Sequence, residues 1–179
     1  MHGLEKYLTE EPNTREDNAQ AIIRLFNCDN MEFMKSVPDG FYDLAITDPP
    51  YGIAKNQIIW GGNYFLLPPS QGFVIWDKKQ PEDFSMAMCE FAWSSIQSPA
   101  KIWRYSVLTE RDKIHPTQKP LALYKWLLKN YAKEGDKIFD SHGGSLSIAI
   151  ACGEMGYSLD ACELDVDYFK DSVARVQRH

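Results

Sequence analysis

No stretch of the 179 residues approaches the ~20 consecutive apolar positions that a membrane-spanning helix needs, and the polar opening, Met1 to Gln20, has no apolar core of signal-peptide type. The expectation is a cytoplasmic protein with no membrane partner. Cysteine is sparse: Cys28, Cys89, Cys152 and Cys162 lie far apart, with no C-x-x-C pair and no histidine at ligand spacing. A disulfide framework is thereby excluded, no metal site is signalled, and four reduced thiols are expected. Positive charge is in deficit, 19 Lys and Arg against 25 Asp and Glu, for a net −6. That balance argues against a protein that coats nucleic acid indiscriminately by neutralising phosphates. Internal repeats, low-complexity tracts and an obvious linker are lacking too, so neither a solenoid nor a string of modules is expected.

What is present is enough apolar material (44% of residues) for one packed core in a chain of single-domain length. Ile22 to Phe26 is a β-prone run. Asp29, with Glu32 three residues on, has the form of a capping box for a short helix over Met31 to Val37, and Pro38-Asp39-Gly40 makes a turn. Tyr42 to Thr47 is a second strand, halted by Asp48-Pro49-Pro50-Tyr51, where two prolines can neither donate ladder hydrogen bonds nor follow a helical residue. Gln57 to Trp60 and Phe73 to Trp76 are further strands in a tryptophan-rich middle. After Pro120, Leu121, Tyr124, Leu128 and Tyr131 recur at helical spacing, with Gly135 as the stop. Then come a strand (Lys137 to Asp140), a glycine turn (Ser141 to Gly144), a helix (Ser145 to Met155) and a strand (Tyr157 to Glu163). Asp165 caps a last helix with Phe169, Val173 and Val176 on one face.

Strand and helix alternate in the last third, a βαβ unit of the kind that builds parallel sheets with helices on both faces, and an α/β fold is expected. Ligands in such folds sit beyond the carboxyl ends of the strands. Asp29, Asp48, Asp140 and Glu163 all fall at predicted strand ends, so all four are expected to rim one site. Charge is split along the chain as well. Residues 101–137 hold nine Lys and Arg against four acids, and residues 138–179 hold three against seven. The basic stretch is equally compatible with a solvated helix face and with a phosphate-facing surface.

Two segments carry chemistry. From Lys137 to Glu163 the order is strand, glycine turn, helix, strand, acid, which is the layout of a nucleoside-cofactor site. The turn is not G-x-G-x-x-G and no P-loop lysine follows it, while the acids Asp140 and Glu163 suit a cationic ligand such as a sulfonium. Plain βαβ packing accounts for the segment equally well. In Asp48-Pro49-Pro50-Tyr51, the diproline exposes carbonyl acceptors beside a carboxylate and an aromatic ring. An exocyclic amine on a flat base is the complementary guest, with Tyr51 stacking on it.

The order Asp48-Pro49-Pro50-Tyr51, then His115-Pro116-Thr117-Gln118-Lys119-Pro120, then Phe139-Asp140-Ser141-His142-Gly143-Gly144-Ser145 resembles the beta-class amino-methylating DNA methyltransferases, in which the catalytic motif precedes the cofactor motif. Asn56 to Phe65 and Trp76-Asp77-Lys78 resemble phage and prophage members, and the likeness runs from about Leu25 to Val176. The resemblance implies a Rossmann-like S-adenosylmethionine-dependent methyltransferase fold in circularly permuted motif order, acting on the N6 amine of a flipped adenine in double-stranded DNA. It implies that Asp48, Pro49, Pro50 and Tyr51 hold the adenine and that Asp29, Asp140, His142, Gly144 and Glu163 bind S-adenosylmethionine. His115, Thr117 and Lys119 close the cofactor pocket on the same likeness, and a homodimer is compatible with it. Cytosine N4 methylation and a non-catalytic nucleic-acid or cofactor-binding module are the alternatives.

On this reading residues 1–20 are a leader and 21–179 one methyltransferase domain. Two departures from the family's pattern stand out. Leu146 occupies a position where the turn usually has glycine, and the spans near 52–56 and 105–114 are short, which leaves DNA-contacting loops underrepresented.

Overall fold

Parallel strands buried on both faces need nearly continuous apolar sequence, and the runs singled out above meet that requirement by joining one sheet. The computed structural model describes residues 21–48, 53–83, 85, 87–106, 109, 113–115 and 117–179. The leader over residues 1–20, and Pro49, Pro50 and Tyr51, lie outside the described residues. The strands are β1 (Ile23–Asn27), β2 (Tyr42–Thr47), β3 (Ala54–Trp60), β4 (Phe73–Asp77), β5 (Cys89–Ser94), β6 (Lys101–Arg104), β7 (Lys137–Asp140) and β8 (Ser158–Glu163). They stand in the order β1-β8-β7-β2-β3-β5-β4-β6, and every adjacent pair is parallel except the two formed by β5.

Among the described residues four α-helices, α1 (Asn30–Lys35), α2 (Leu121–Tyr131), α3 (Ser147–Met155) and α4 (Val166–Gln177), and a 3-10 turn over Gly62–Tyr64 complete the fold. Alternation along the strands decides which side each helix covers. Ile138, Leu159 and Ala161 pack with Leu123, Leu127 and Leu128 of α2 and with Ile148, Ala151 and Cys152 of α3, against which Val173 and Val176 of α4 also lie. Phe139 and Cys162 face the other way, to Met34 and Phe33 of α1 and to Tyr42. Trp103 of β6 stacks on Tyr105 and approaches Trp76 and Trp126, which ties the far strands to α2.

Several expectations shift in detail. Asp29 caps α1 by accepting from the Met31 and Glu32 amides at 2.7 and 3.3 Å. Glu32 does not complete a capping box, because its carboxylate pairs with Lys35 at 2.6 Å. α3 starts at Ser147 rather than Ser145, because Leu146 before it has a left-handed backbone (φ 52°, ψ 31°). β5 and β6 lie in the tryptophan-rich stretch where no strand was delineated. α-Helices cover both faces only over β1, β8, β7 and β2; over β3 to β6, opposite α2, no α-helix lies among the described residues, and the 3-10 turn Gly62–Tyr64 packs on β5. Parallel β2 and β3 are joined by residues 48–53 alone, well under the dozen or so a helix-bearing crossover takes. Ile102, at 53% exposure, lies on the uncovered side.

Candidate active site at the carboxyl ends of the strands

The carboxyl ends of β2, β7 and β8 are neighbours in the sheet, so the residues that follow them converge. Asp48 follows β2, Asp140 ends β7 and Glu163 ends β8. All three line one cavity of about 250 Å³, with His115, Thr117, Lys119, His142 and Gly144. Asp29 lies next door, on a cavity of about 80 Å³ bounded by Asn30 and Leu164, and His142 and Glu163 border both spaces. The expected rim of four acids is therefore one strip with two lobes, of which Asp29 holds the smaller.

The glycine turn is shaped by contacts from below. Gly144 has φ +51°, a conformation that side chains disfavour, and its N–H donates to Glu163 Oε2 at 2.8 Å. Its carbonyl accepts from the Ser172 hydroxyl of α4. Arg175, buried one turn further along α4, donates to the Ser145 carbonyl at 2.9 Å and to Ser147 Oγ at 3.1 Å. Gly143 has no room for a side chain, since a Cβ there would stand 2.6 Å from Leu146 Cδ2. Leu146 is fully buried and is not part of the cavity wall. The residue in place of the family's glycine therefore supports the turn from the core side, against a left-handed backbone cost of about 1–2 kcal/mol.

Electrostatics divides the cavity. Lys119, 9% exposed, places Nζ 3.1 Å from Asp48 Oδ1 and 5.4 Å from the Trp60 ring centroid, so a cation fixes one oxygen of the half-exposed carboxylate. Asp140 is 3% exposed and takes a 2.9 Å hydrogen bond from the His142 N–H on Oδ1. Burial pushes its carboxyl up to about 7; the His142 amide and Lys119 oppose this, while Asp48 and Glu163 add to it. His142 is moved down by burial, and its ring lies between Ser141 Oγ (2.7 Å) and Asn30 Nδ2 (3.1 Å). Glu163 accepts backbone N–H groups on both oxygens, from Gly144 and from Asp165 at 2.9 Å. His115 meets the Tyr168 ring at 4.3 Å and its Nδ1 lies 3.0 Å from Thr117 Oγ1.

Several wall residues were not singled out from sequence. Tyr124 belongs to the apolar period of α2, yet it borders the cavity, and burial with Asp140 and Asp48 nearby raises its hydroxyl well above the ordinary range. Trp60 also lines it, and its buried Nε1 has no partner among the described residues. Ser172 and Arg175 gave no signal beyond being polar positions next to the apolar stripe of α4. The basic stretch is not one surface. Lys119 is at the site, Lys125 pairs with Glu154 and Lys101 bonds Asn130, while Lys113, Lys129 and Lys133 are exposed.

Comparison with known proteins adds the family. A family model described as DNA methylase matches residues 75–174. The type II methyltransferase M.HpaI of Haemophilus parainfluenzae is 28% identical over 82 residues, 44% of this chain. That match takes in 26% of the relative's length. Among solved structures, PvuII DNA methyltransferase (cytosine-N4-specific) superposes with a TM-score of 0.69 at 12% identity, covering 87% of this chain and 86% of that one. The M1.HpyAVI–SAM complex gives 0.63 at 19% identity, covering 86% and 100%. TTHA0409 of Thermus thermophilus, a putative DNA modification methylase complexed with S-adenosyl-L-methionine, gives 0.62 at 16%, covering 88% and 94%. At these identities the likeness is one of fold, and the fold is the Rossmann-like one of S-adenosylmethionine-dependent methyltransferases.

Proposed function

The chain belongs to the DNA methylase family, and on that premise we propose that it transfers a methyl group from S-adenosylmethionine to the exocyclic N6 amine of an adenine flipped out of double-stranded DNA. The observation that carries the reading is the convergence, in one cavity, of Asp48 of the D-P-P-Y motif with Asp140 and Glu163 of the glycine-turn segment. The site suits the donor. A buried carboxyl with no ion pair among the described residues (Asp140) meets the charge of a sulfonium, and an indole N–H with no partner among them (Trp60) is available to a polar ligand. S-adenosylmethionine supplies, when bound, a methyl group activated by positive sulfur.

The rest is the work of the chain. An exocyclic amine is a poor nucleophile because its lone pair is delocalised into the ring. Asp48, accepting an N–H through the oxygen that Lys119 does not hold, turns the amine so that the lone pair is free, and Pro49, Pro50 and Tyr51 complete that grip. Positioning of this kind is worth up to ~7–11 kcal/mol where geometry is near ideal, against a few kcal/mol to extrude the base. Asp29, His115, Thr117, His142 and Gly144 complete the cofactor cradle, and residues 21–179 act as one catalytic domain.

The test is transfer of labelled methyl from S-adenosylmethionine to unmethylated genomic DNA, followed by nucleoside analysis. N6-methyladenine is the expected product. N4-methylcytosine retains the chemistry and overturns the base, and the absence of transfer by folded protein that binds the donor favours the non-catalytic module. Asp48→Ala is expected to lower transfer at least about a hundredfold with donor binding retained.

A further inference from the structure

Asp140 stands apart from the other acids of the cavity. Asp48 has Lys119, and Glu163 has two backbone amides, but Asp140 has the one amide of His142 and no ion pair among the described residues. An ionised carboxylate buried without a counter-charge is expensive, so such a group is either neutral or waiting for a cation. Its surroundings favour the neutral form in the absence of a ligand. Asp48 and Glu163 repel a further negative charge, and burial outweighs the His142 amide and the Lys119 charge, which act the other way. Tyr124 of α2, Cys152 of α3 and Cys162 of β8 are held protonated by burial, and His142 is held toward its neutral form.

We propose that Asp140 discriminates between the two forms of the cofactor by charge, its carboxyl ionising when the sulfonium donor occupies the cavity and staying protonated when the neutral thioether product does. The inference rests on the methyltransferase reading. The donor and its product share adenosine and an amino acid whose ammonium is common to both, and differ by one methyl group and the positive charge on sulfur, so a carboxyl that meets the sulfur and not the ammonium separates them. On donor binding the proton goes to solvent; with the product it stays on Asp140. The site thereby prefers fresh donor to spent product, and the preference grows with pH because only donor binding releases a proton.

Calorimetry of S-adenosylmethionine and S-adenosylhomocysteine binding, in buffers of different ionisation enthalpy, tests this. For a carboxyl that titrates at about 7, donor affinity is expected to rise roughly tenfold from pH 6 to pH 8, with about half a proton released at pH 7. Product affinity is expected to stay flat or fall. Asp140→Asn, checked for folding by thermal melting, is expected to abolish the pH-dependent part of the discrimination. Equal pH dependence for the two ligands in the wild type overturns the proposal, as does its full survival in Asp140→Asn, which assigns the titration to His142. The wild-type proton inventory decides alone if the variant fails to fold. Failure of both ligands to bind at any pH overturns the underlying methyltransferase reading instead.

Discussion

Asp160 and Asp140 sit one ladder position apart on adjacent strands, are 4% and 3% exposed, and point to opposite faces of the sheet. Asp160 is saturated. Arg24 meets it with two hydrogen bonds of 2.6 and 2.7 Å, and the Tyr42 hydroxyl donates to it at 2.7 Å. Asp140 has one backbone amide and a cavity in front of it. The same residue type at the same depth has two surroundings: Asp160 is paired and joins β1, β8 and β2, and Asp140 faces a cavity with no ion pair among the described residues. What separates the two acids is the count of satisfied partners, not burial.

That contrast can be broken by mutation. A loss of stability at neutral pH is expected for Asp160→Asn, which leaves the Arg24 charge without its partner. Loss of a buried pair costs about 3–5 kcal/mol, and the lower end is expected because the Arg24 side chain retains 30% exposure. Denaturant unfolding reads it directly, and a loss under about 1 kcal/mol would remove the structural role.

Asp140→Asn is expected to move stability the other way. The folded protein keeps a proton on Asp140 up to about pH 7 that the unfolded chain loses near pH 4. Wild-type stability therefore falls as pH rises through that window and levels off above it, by up to roughly 4 kcal/mol from this group. The variant should lack that fall and be the more stable protein at pH 8, with little difference at pH 4. A variant less stable than wild type at pH 8 contradicts the assignment of Asp140 as an unpaired charge.

Leu146→Gly gives the smallest shift and sharpens the view of the turn that the two acids flank. Truncating a buried leucine costs about 3–5 kcal/mol, and removing left-handed strain returns about 1–2. A net loss of about 2 kcal/mol is expected with donor affinity unchanged. A gain in stability would show that Leu146 is tolerated in the turn without holding it.

Much of the architecture was legible in the sequence because it depends on local patterns. The apolar run of Tyr42 to Thr47, the helical spacing from Leu121 to Tyr131 and the glycine turn after Asp140 each carry their own signature. Asp48, Asp140 and Glu163 were placed together correctly because strands of a parallel sheet end at one edge. The two-sided helix layer of the βαβ unit does not extend over β3 to β6, where residues 48–53 join β2 to β3. β5 and β6 were missed because each is short and interrupted by polar or charged residues, Glu90 in β5 and Lys101 and Arg104 in β6, so neither forms a continuous apolar run. The contact of Lys119 with Asp48 spans 71 residues, so no spacing rule could reveal it.

The elements outside the tryptophan-rich middle and the acids at strand ends were determined by sequence alone, since periodicity and turn chemistry act within a few residues. Which acid is paired was decided only by the tertiary structure. Arg24 and Asp160 are 136 residues apart, and they meet because β1 lies beside β8 in the sheet. Asp140 has no such pair among the described residues, because Lys119, a cation lining the same cavity, is held by Asp48, and long-range proximity of that kind is a property of the packed sheet.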